Sequence, residues 1–182
     1  MLHTDEWETE KVLKLAKDEL EKWEVKDIVV ASTTGDTGLQ AAKLFKDSDA
    51  NLVIVAHSVG FRNPNENQFD PDMKKEIEKM GRSVLFSTMP FHTINDAVRK
   101  KIGSSSVTLI ADALRMMGQG TKVCVEIVAM ACDAGMIESG RNVIAVAGTA
   151  RGADTVLLVK SANSRRFFDL RIVDVLAKPH SF

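Results

Sequence analysis

Ser32-Thr33-Thr34-Gly35-Asp36-Thr37-Gly38 directly follows the apolar run Asp27-Ile28-Val29-Val30-Ala31 and leads into the helix-like Leu39-Gln40-Ala41-Ala42-Lys43-Leu44-Phe45. A buried strand, a small hydroxylated turn with glycines and a helix start are the parts of a phosphate site. Glycine lets the backbone approach an anion, hydroxyls and N–H groups donate to it, and the helix N-terminus adds its positive dipole end. The stretch lacks the Gly-Lys-Ser/Thr ending of a Walker loop and the glycine spacing of the dinucleotide fingerprint. Asp36 opposes an anion unless its carboxylate turns away. The competing reading is a capped turn closed by Asp and Ser/Thr side chains.

Other strand ends carry comparable residues. Gly148-Thr149-Ala150-Arg151-Gly152-Ala153-Asp154 follows the apolar Asn142–Ala147, and Arg151 could pair bidentately with a phosphate; the alternative is a tight turn with a solvated arginine. His57, with Ser58 and Gly60, follows a second apolar run, and Thr88 and His92 follow a third. His57 and His92 are the candidate acid–base residues, set against the reading of each as a capped or solvated histidine. Several such strand ends favour a shared pocket over any single one. Glu126 sits in the apolar Val123–Met130. A carboxylate there faces a ligand pocket, closes a salt bridge or lies on an exposed turn, because burial without a partner is costly.

These residues need a scaffold. Apolar positions recurring near a 3.6 period predict a helix over residues 5–23. Strands are expected at 27–32, 52–56, 83–87, 142–147, 155–160 and 171–176. Helices are expected at 37–46, from an Asp70 cap with Pro71 to Met80, and at 94–101, 107–117 and 121–137. Strand–helix–strand order with continuous apolar strands predicts an α/β three-layer sandwich around a mostly parallel sheet, covering residues 1–182 as one domain. Asp112 and Arg115 read as a surface pair, and Met116, Met117, Met130 and Met136 as core filler.

Composition bounds the partners. The 182 residues carry 24 basic and 25 acidic side chains, a formal net charge of −1, which argues against a nucleic-acid or membrane-surface footprint. No apolar stretch reaches the roughly 20 residues needed to span a bilayer, and the polar start is no secretory signal. Cys124 and Cys132, eight apart on an expected helix, would lie about 12 Å apart along its axis, too far to bridge. They read as buried hydrophobes, consistent with a cytoplasmic location. The histidines and cysteines lack zinc spacing.

The Ser32–Gly38 loop after its strand, together with Gly148–Gly152 between two strands, resembles the C-terminal α/β domain of pyruvate kinase. There a Thr-x-Ser-Gly-x-Ser/Thr-Ala loop and a Thr-Gly-Trp-Arg-Pro-Gly type loop hold an allosteric sugar phosphate. The likeness covers roughly residues 25–60 and 121–177, and leaves the N-terminal helix and the 94–117 helices as additions. The second loop here lacks the tryptophan, and 182 residues cannot include the catalytic barrel, so pyruvate kinase activity is not implied. The chain resembles the small stand-alone proteins of archaea and some bacteria that are similar to this domain more than it resembles a whole pyruvate kinase. For these the resemblance implies bound flavin mononucleotide (FMN), its phosphate on Ser32, Thr33, Thr34, Gly35, Asp36, Thr37 and Gly38, with Gly148, Thr149, Arg151 and Gly152 opposite. His57, Ser58, Gly60 and Thr88 would then line the ring. The alternatives are a non-catalytic sensor of a phosphometabolite and a structural module that forms homo-oligomers.

Overall fold

Ile28-Val29-Val30, Val53-Ile54-Val55 and Ile144-Ala145-Val146 are apolar at successive positions, so neither face of these strands can meet water. A computed structural model of the chain describes all residues except Glu6 and Phe182. Its strands are β1 (Leu2–His3), β2 (Asp27–Ala31), β3 (Asn51–Ala56), β4 (Ser83–Phe86), β5 (Asn142–Ala147), β6 (Thr155–Lys160) and β7 (Arg171–Lys178). Its helices are α1 (Thr9–Lys22), α2 (Asp36–Leu44), α3 (Pro71–Lys79), α4 (Ile94–Ile102), α5 (Ser106–Arg115) and α6 (Gln119–Asp133), with a kinked 3-10 segment at Ser164–Asp169.

The strands form one sheet in the order β1-β7-β6-β5-β2-β3-β4. Pairs β1–β7, β5–β2, β2–β3 and β3–β4 are parallel, while β6 is antiparallel to both neighbours. The sheet is therefore mostly parallel, as expected. One face buries Ile28, Val30, Ile54 and Ile144 under α1, α2 and α3. The other buries Val29, Val53, Val143 and Ala145 under α6. The chain runs outward from β2 through β3 to β4, then returns to β5 on the far side of β2. The crevice between the carboxyl ends of β2 and β5 is thus a topological switch point, where ligands bind in open α/β sheets.

Most elements fall within a few residues of expectation. Of the expected 5–23 helix, 9–22 is helical; Glu6 lies outside the described residues. The helix expected to reach Ile137 stops at Asp133, because Gly135 takes a positive φ of 69° and turns the chain. The two-residue β1 and the 3-10 segment carry no hydrophobic period and were not expected. Met130 is core, but Met116 and Met117 are exposed, since α5 ends before them. Cys124 and Cys132 are free and buried. Arg82 ties the sheet edge to the α2–β3 turn, donating to the carbonyls of Ala50 (2.7 Å), Ser48 (2.8 Å) and Phe45. Asp70 caps α3 as predicted, accepting from the N–H of Asp72 at 2.8 Å and Met73 at 3.0 Å.

α1 runs back along the strands, from the carboxyl end of the sheet to its amino end. Trp7, just before it, lines a cleft with the Gly148–Asp154 loop; Trp23, just after it, lines a second cleft at the opposite end, beside Asp27, Asn51 and Asn142. Among the described residues no helix is long and apolar enough to cross a membrane.

Candidate functional site

At the end of β2 the chain must leave a buried strand and enter α2 within a few residues. Gly35 makes the turn with φ 115°, where a side chain would also press on Met73 and Phe69. Gly38 lets α2 approach β3, because a Cβ there would sit 2.7 Å from Ile54 Cγ2. Two candidate phosphate donors are already engaged. The Gly38 N–H donates to Ser32 Oγ at 3.1 Å, and the Thr34 hydroxyl donates to Asp36 at 2.6 Å. The N–H groups of Thr33, Thr34, Gly35, Asp36 and Thr37 have no acceptor among the described residues. They leave the first turn of α2 as a set of free donors.

Beside this turn, Thr33 Oγ1 lies 3.4 Å from His57 Nε2, and His57 Nδ1 lies 3.1 Å from Gln68 Oε1. Gln68 Oε1 can only accept, so Nδ1 carries the ring hydrogen and Nε2 is the acceptor. Burial pushes the His57 pKa down against the Gln68 hydrogen bond that raises it; the His92 and Lys122 charges lower it further, and Glu126 opposes them. The His57 ring packs on Phe61 at 4.2 Å, and Phe61 meets His92 at 5.7 Å.

His92 leads into a buried ionic cluster. On α6, Lys122 and Glu126 are one turn apart on the same face. Lys122 is fully buried and Glu126 is 2% exposed, and Nζ lies 2.5 Å from Oε2. The other carboxylate oxygen accepts from the Phe91 N–H at 2.7 Å. His92 Nδ1 is 3.1 Å from Lys122 Nζ and 3.4 Å from Glu126 Oε1. His92 Nδ1 therefore faces both members of the pair. Burial opposes the Glu126 anion, yet His92, Lys122 and the Phe91 N–H outweigh it and hold its pKa below the ordinary value. Burial lowers the Lys122 pKa against the pull of Glu126. Thr93 follows with φ 39°, a strained conformation for a β-branched residue. The two imidazoles are therefore held differently: Gln68 leaves His57 Nε2 as an acceptor, while His92 turns its Nδ1 toward the buried ion pair.

The second glycine loop is built differently. A Cβ on Gly148 would run into the Gly152 carbonyl. Asp154 closes the loop by accepting from the Thr149 N–H at 2.8 Å. Thr9 and Thr4 of the N-terminal segment brace it, Thr9 Oγ1 accepting from the Ala153 N–H at 3.1 Å and Thr4 donating to the Asp154 carbonyl at 2.5 Å. Its Thr149 and Arg151 line the first cleft, of about 660 Å³, with Gln40 of α2, Trp7 and the acids Asp5, Glu8, Glu10 and Asp154. Residues 32–38 do not line that cleft. Among the described residues, the side chains of Ser58 and Thr88 make no hydrogen bond to His57 or His92, and the Ser58 carbonyl accepts from the Phe61 N–H at 3.3 Å.

Of the three readings of Glu126, the salt bridge is the one observed. Lys122 was not singled out, because a lysine in a helix ordinarily reads as solvated. The available signal was a Lys–Glu pair at i, i+4 inside a helix otherwise apolar on every side. Gln68, in a polar loop, has no periodic signal. Asp112 and Arg115 do form a surface pair, at 2.6 Å.

Fold and site together define a doubly wound α/β domain with polar clusters at the switch-point edge of its sheet. The chain belongs to the family described as "Pyruvate kinase, alpha/beta domain", whose pattern matches residues 10–159. The match takes in most of α1 and the 94–117 helices, both of which the two loop motifs left outside. Among solved structures, a pyruvate kinase from Cryptosporidium parvum is similar at 18% identity and TM-score 0.44, over 85% of this chain and 23% of that one. Cryptosporidium parvum pyruvate kinase in complex with ADP matches equally, over 24% of its length. An O-ureido-L-serine synthase matches at 19% identity and TM-score 0.34, over 60% of this chain and 29% of that one. This chain spans about a quarter of the kinases it matches.

Proposed function

We propose that this domain binds a phosphorylated small molecule at the carboxyl edge of its parallel strands, with FMN the first ligand to test. The observation that carries the reading is the run of unpaired N–H groups from Thr33 to Thr37 at the start of α2, beside the switch point. Those N–H groups and the Thr37 hydroxyl would hold the phosphate, and the wall of His57, Phe61 and His92 suits a planar ring. The Asp36 carboxylate is exposed and bonded to Thr34, which leaves the N–H face of the turn to the anion. A bound flavin would supply hydride or single-electron chemistry; His57 and His92 would accept and donate protons beside it.

The test is a visible absorbance scan of purified protein after loading with excess FMN and desalting. Retained flavin bands, lost in a Gly35→Val variant that still folds, support the reading. A wild-type protein that retains none removes FMN.

A second reading has its own observation. Arg151 makes no ion pair among the described residues and faces the 660 Å³ cleft with Thr149 and Gln40. A phosphometabolite sensor would use that cleft without chemistry. A rise in melting temperature with sugar phosphates that disappears in Arg151→Ala supports it, because a ligand of the native state alone raises the melting point.

A further inference from the structure

We propose that Thr33 is a nucleophile activated by His57 and that the domain carries an acyl-transfer activity toward small esters. The claim does not depend on phosphate or flavin binding. It stands on a chain of three side chains from two loops, the β2–α2 turn and the β3–α3 connection: Thr33 Oγ1 3.4 Å from His57 Nε2, and His57 Nδ1 3.1 Å from Gln68 Oε1. This is the order of a nucleophile, a base and a group that orients the base. Catalytic hydrogen bonds are often this long before substrate binds and tighten only in the complex.

Position and tautomer fit the roles. Thr33 stands on a strand–turn–helix junction at the carboxyl edge of the sheet, half-buried and reachable from solvent. Gln68 fixes the hydrogen on Nδ1, which leaves Nε2 free to take the Thr33 proton. The unpaired N–H groups that follow Thr33 are the donors such a turn offers to an oxyanion.

The step balances without a cofactor. Thr33 Oγ bonds to the ester carbonyl carbon as His57 Nε2 takes the hydroxyl proton. The C–O bond to the leaving group breaks, and the proton passes from His57 to the departing oxygen. Water then attacks the acyl-threonine by the same route, releasing the acid and restoring Thr33. Thr33 and His57 are the catalytic residues; Gln68 is a positioning residue.

The experiment uses full-length protein and 4-nitrophenyl acetate. Wild type should release 4-nitrophenol above background and carry a transient acetyl group on the peptide containing Thr33. His57→Ala should lower kcat by roughly 10²–10⁴-fold, Thr33→Val should abolish turnover, and Thr33→Ser should retain it. Turnover should rise as His57 loses its proton. Around that ring lie Gln68, Thr33, Phe61 and His92, and the Lys122 and Glu126 charges of α6. Gln68→Glu places an anion on Nδ1–H, so it should move the acid limb of the pH profile upward, whereas Gln68→Ala should lower kcat with KM little changed. A wild-type rate no greater than that of folded Thr33→Val, or an acetyl group mapping to another residue, overturns the assignment. The acetyl mapping needs only wild type, so it decides the matter even if a variant misfolds. FMN retention without turnover leaves the ligand reading standing and removes this one; turnover without retention does the reverse.

Discussion

Replacing Lys122 by Met keeps the length and most of the volume of the side chain but removes its charge. Glu126 then stays 2% exposed, with the Phe91 N–H and His92 as its remaining partners. Removing one member of a buried pair costs about 3–5 kcal/mol, because the survivor keeps its desolvation penalty. For a chain of this size that corresponds to a fall in melting temperature of about 6–20 °C. The cost should depend on pH. Without the ammonium, burial raises the folded-state pKa of Glu126 above its unfolded value. Stability is then fully present below the unfolded value and lost as pH rises through the folded one. Lys122→Met should therefore lie closest to wild type in mild acid and furthest from it at neutral pH. The double variant Lys122→Met/Glu126→Met should recover much of the loss, short of the roughly 1–3 kcal/mol for the unpaired Phe91 N–H. Thermal unfolding followed by circular dichroism at two pH values measures all of this. A single variant as stable as wild type at neutral pH, or a deficit equal at both pH values, would refute the buried pair.

Three further outcomes are expected. Gly120→Ala should destabilise by about 1–3 kcal/mol in urea unfolding, because the new Cβ meets the Thr155 side chain and sits 2.8 Å from Asp154 Oδ1. Asp70→Ala should cost about 1 kcal/mol by the same measurement, as the α3 cap is lost, and Asp70→Asn much less. Asp5 accepts from the N–H groups of His180 and Ser181 and from the Ser181 hydroxyl, and these bonds depress its pKa. The strap they make should hold above the ordinary aspartate value of 3.8 and loosen as the pH falls below it. The protection factors of the His180 and Ser181 amides, exchange rates corrected for their intrinsic pH dependence, should fall in acid, and at all pH values in Asp5→Ala.

The parallel core was legible because burial on both faces leaves a simple trace: short unbroken apolar runs at 28–31, 52–56 and 143–147, each followed by glycine, hydroxyl or histidine. The Asp70-Pro71 start of α3 was equally plain, since cap and ring act through local backbone geometry. Elements whose cause lies far along the chain were not. β1 forms only because β7 offers it an edge more than 170 residues later. The site divides in the same way. Position at strand ends marked His57, His92 and Thr33 as candidates, but their partners come from other segments. Gln68 reaches His57 across a loop, and Lys122 reaches His92 from a helix 30 residues further on. A lysine reads as solvated until its anion and its apolar cover are seen together.

The run of α1 along the strands bears on how ligands could be detected. The chain has two tryptophans and no tyrosine, and the tryptophans flank that helix, Trp7 in the cleft beside Arg151 and Trp23 in the cleft at the far end. Ultraviolet emission therefore comes from two lamps at opposite poles of the molecule. Trp7 lies under the Lys11 ammonium, 4.3 Å from its ring centre, and the Trp23 indole donates to Glu19, so each has its own electrostatic surroundings. Single Trp→Phe variants would switch off one lamp at a time, telling which pole an added compound has visited.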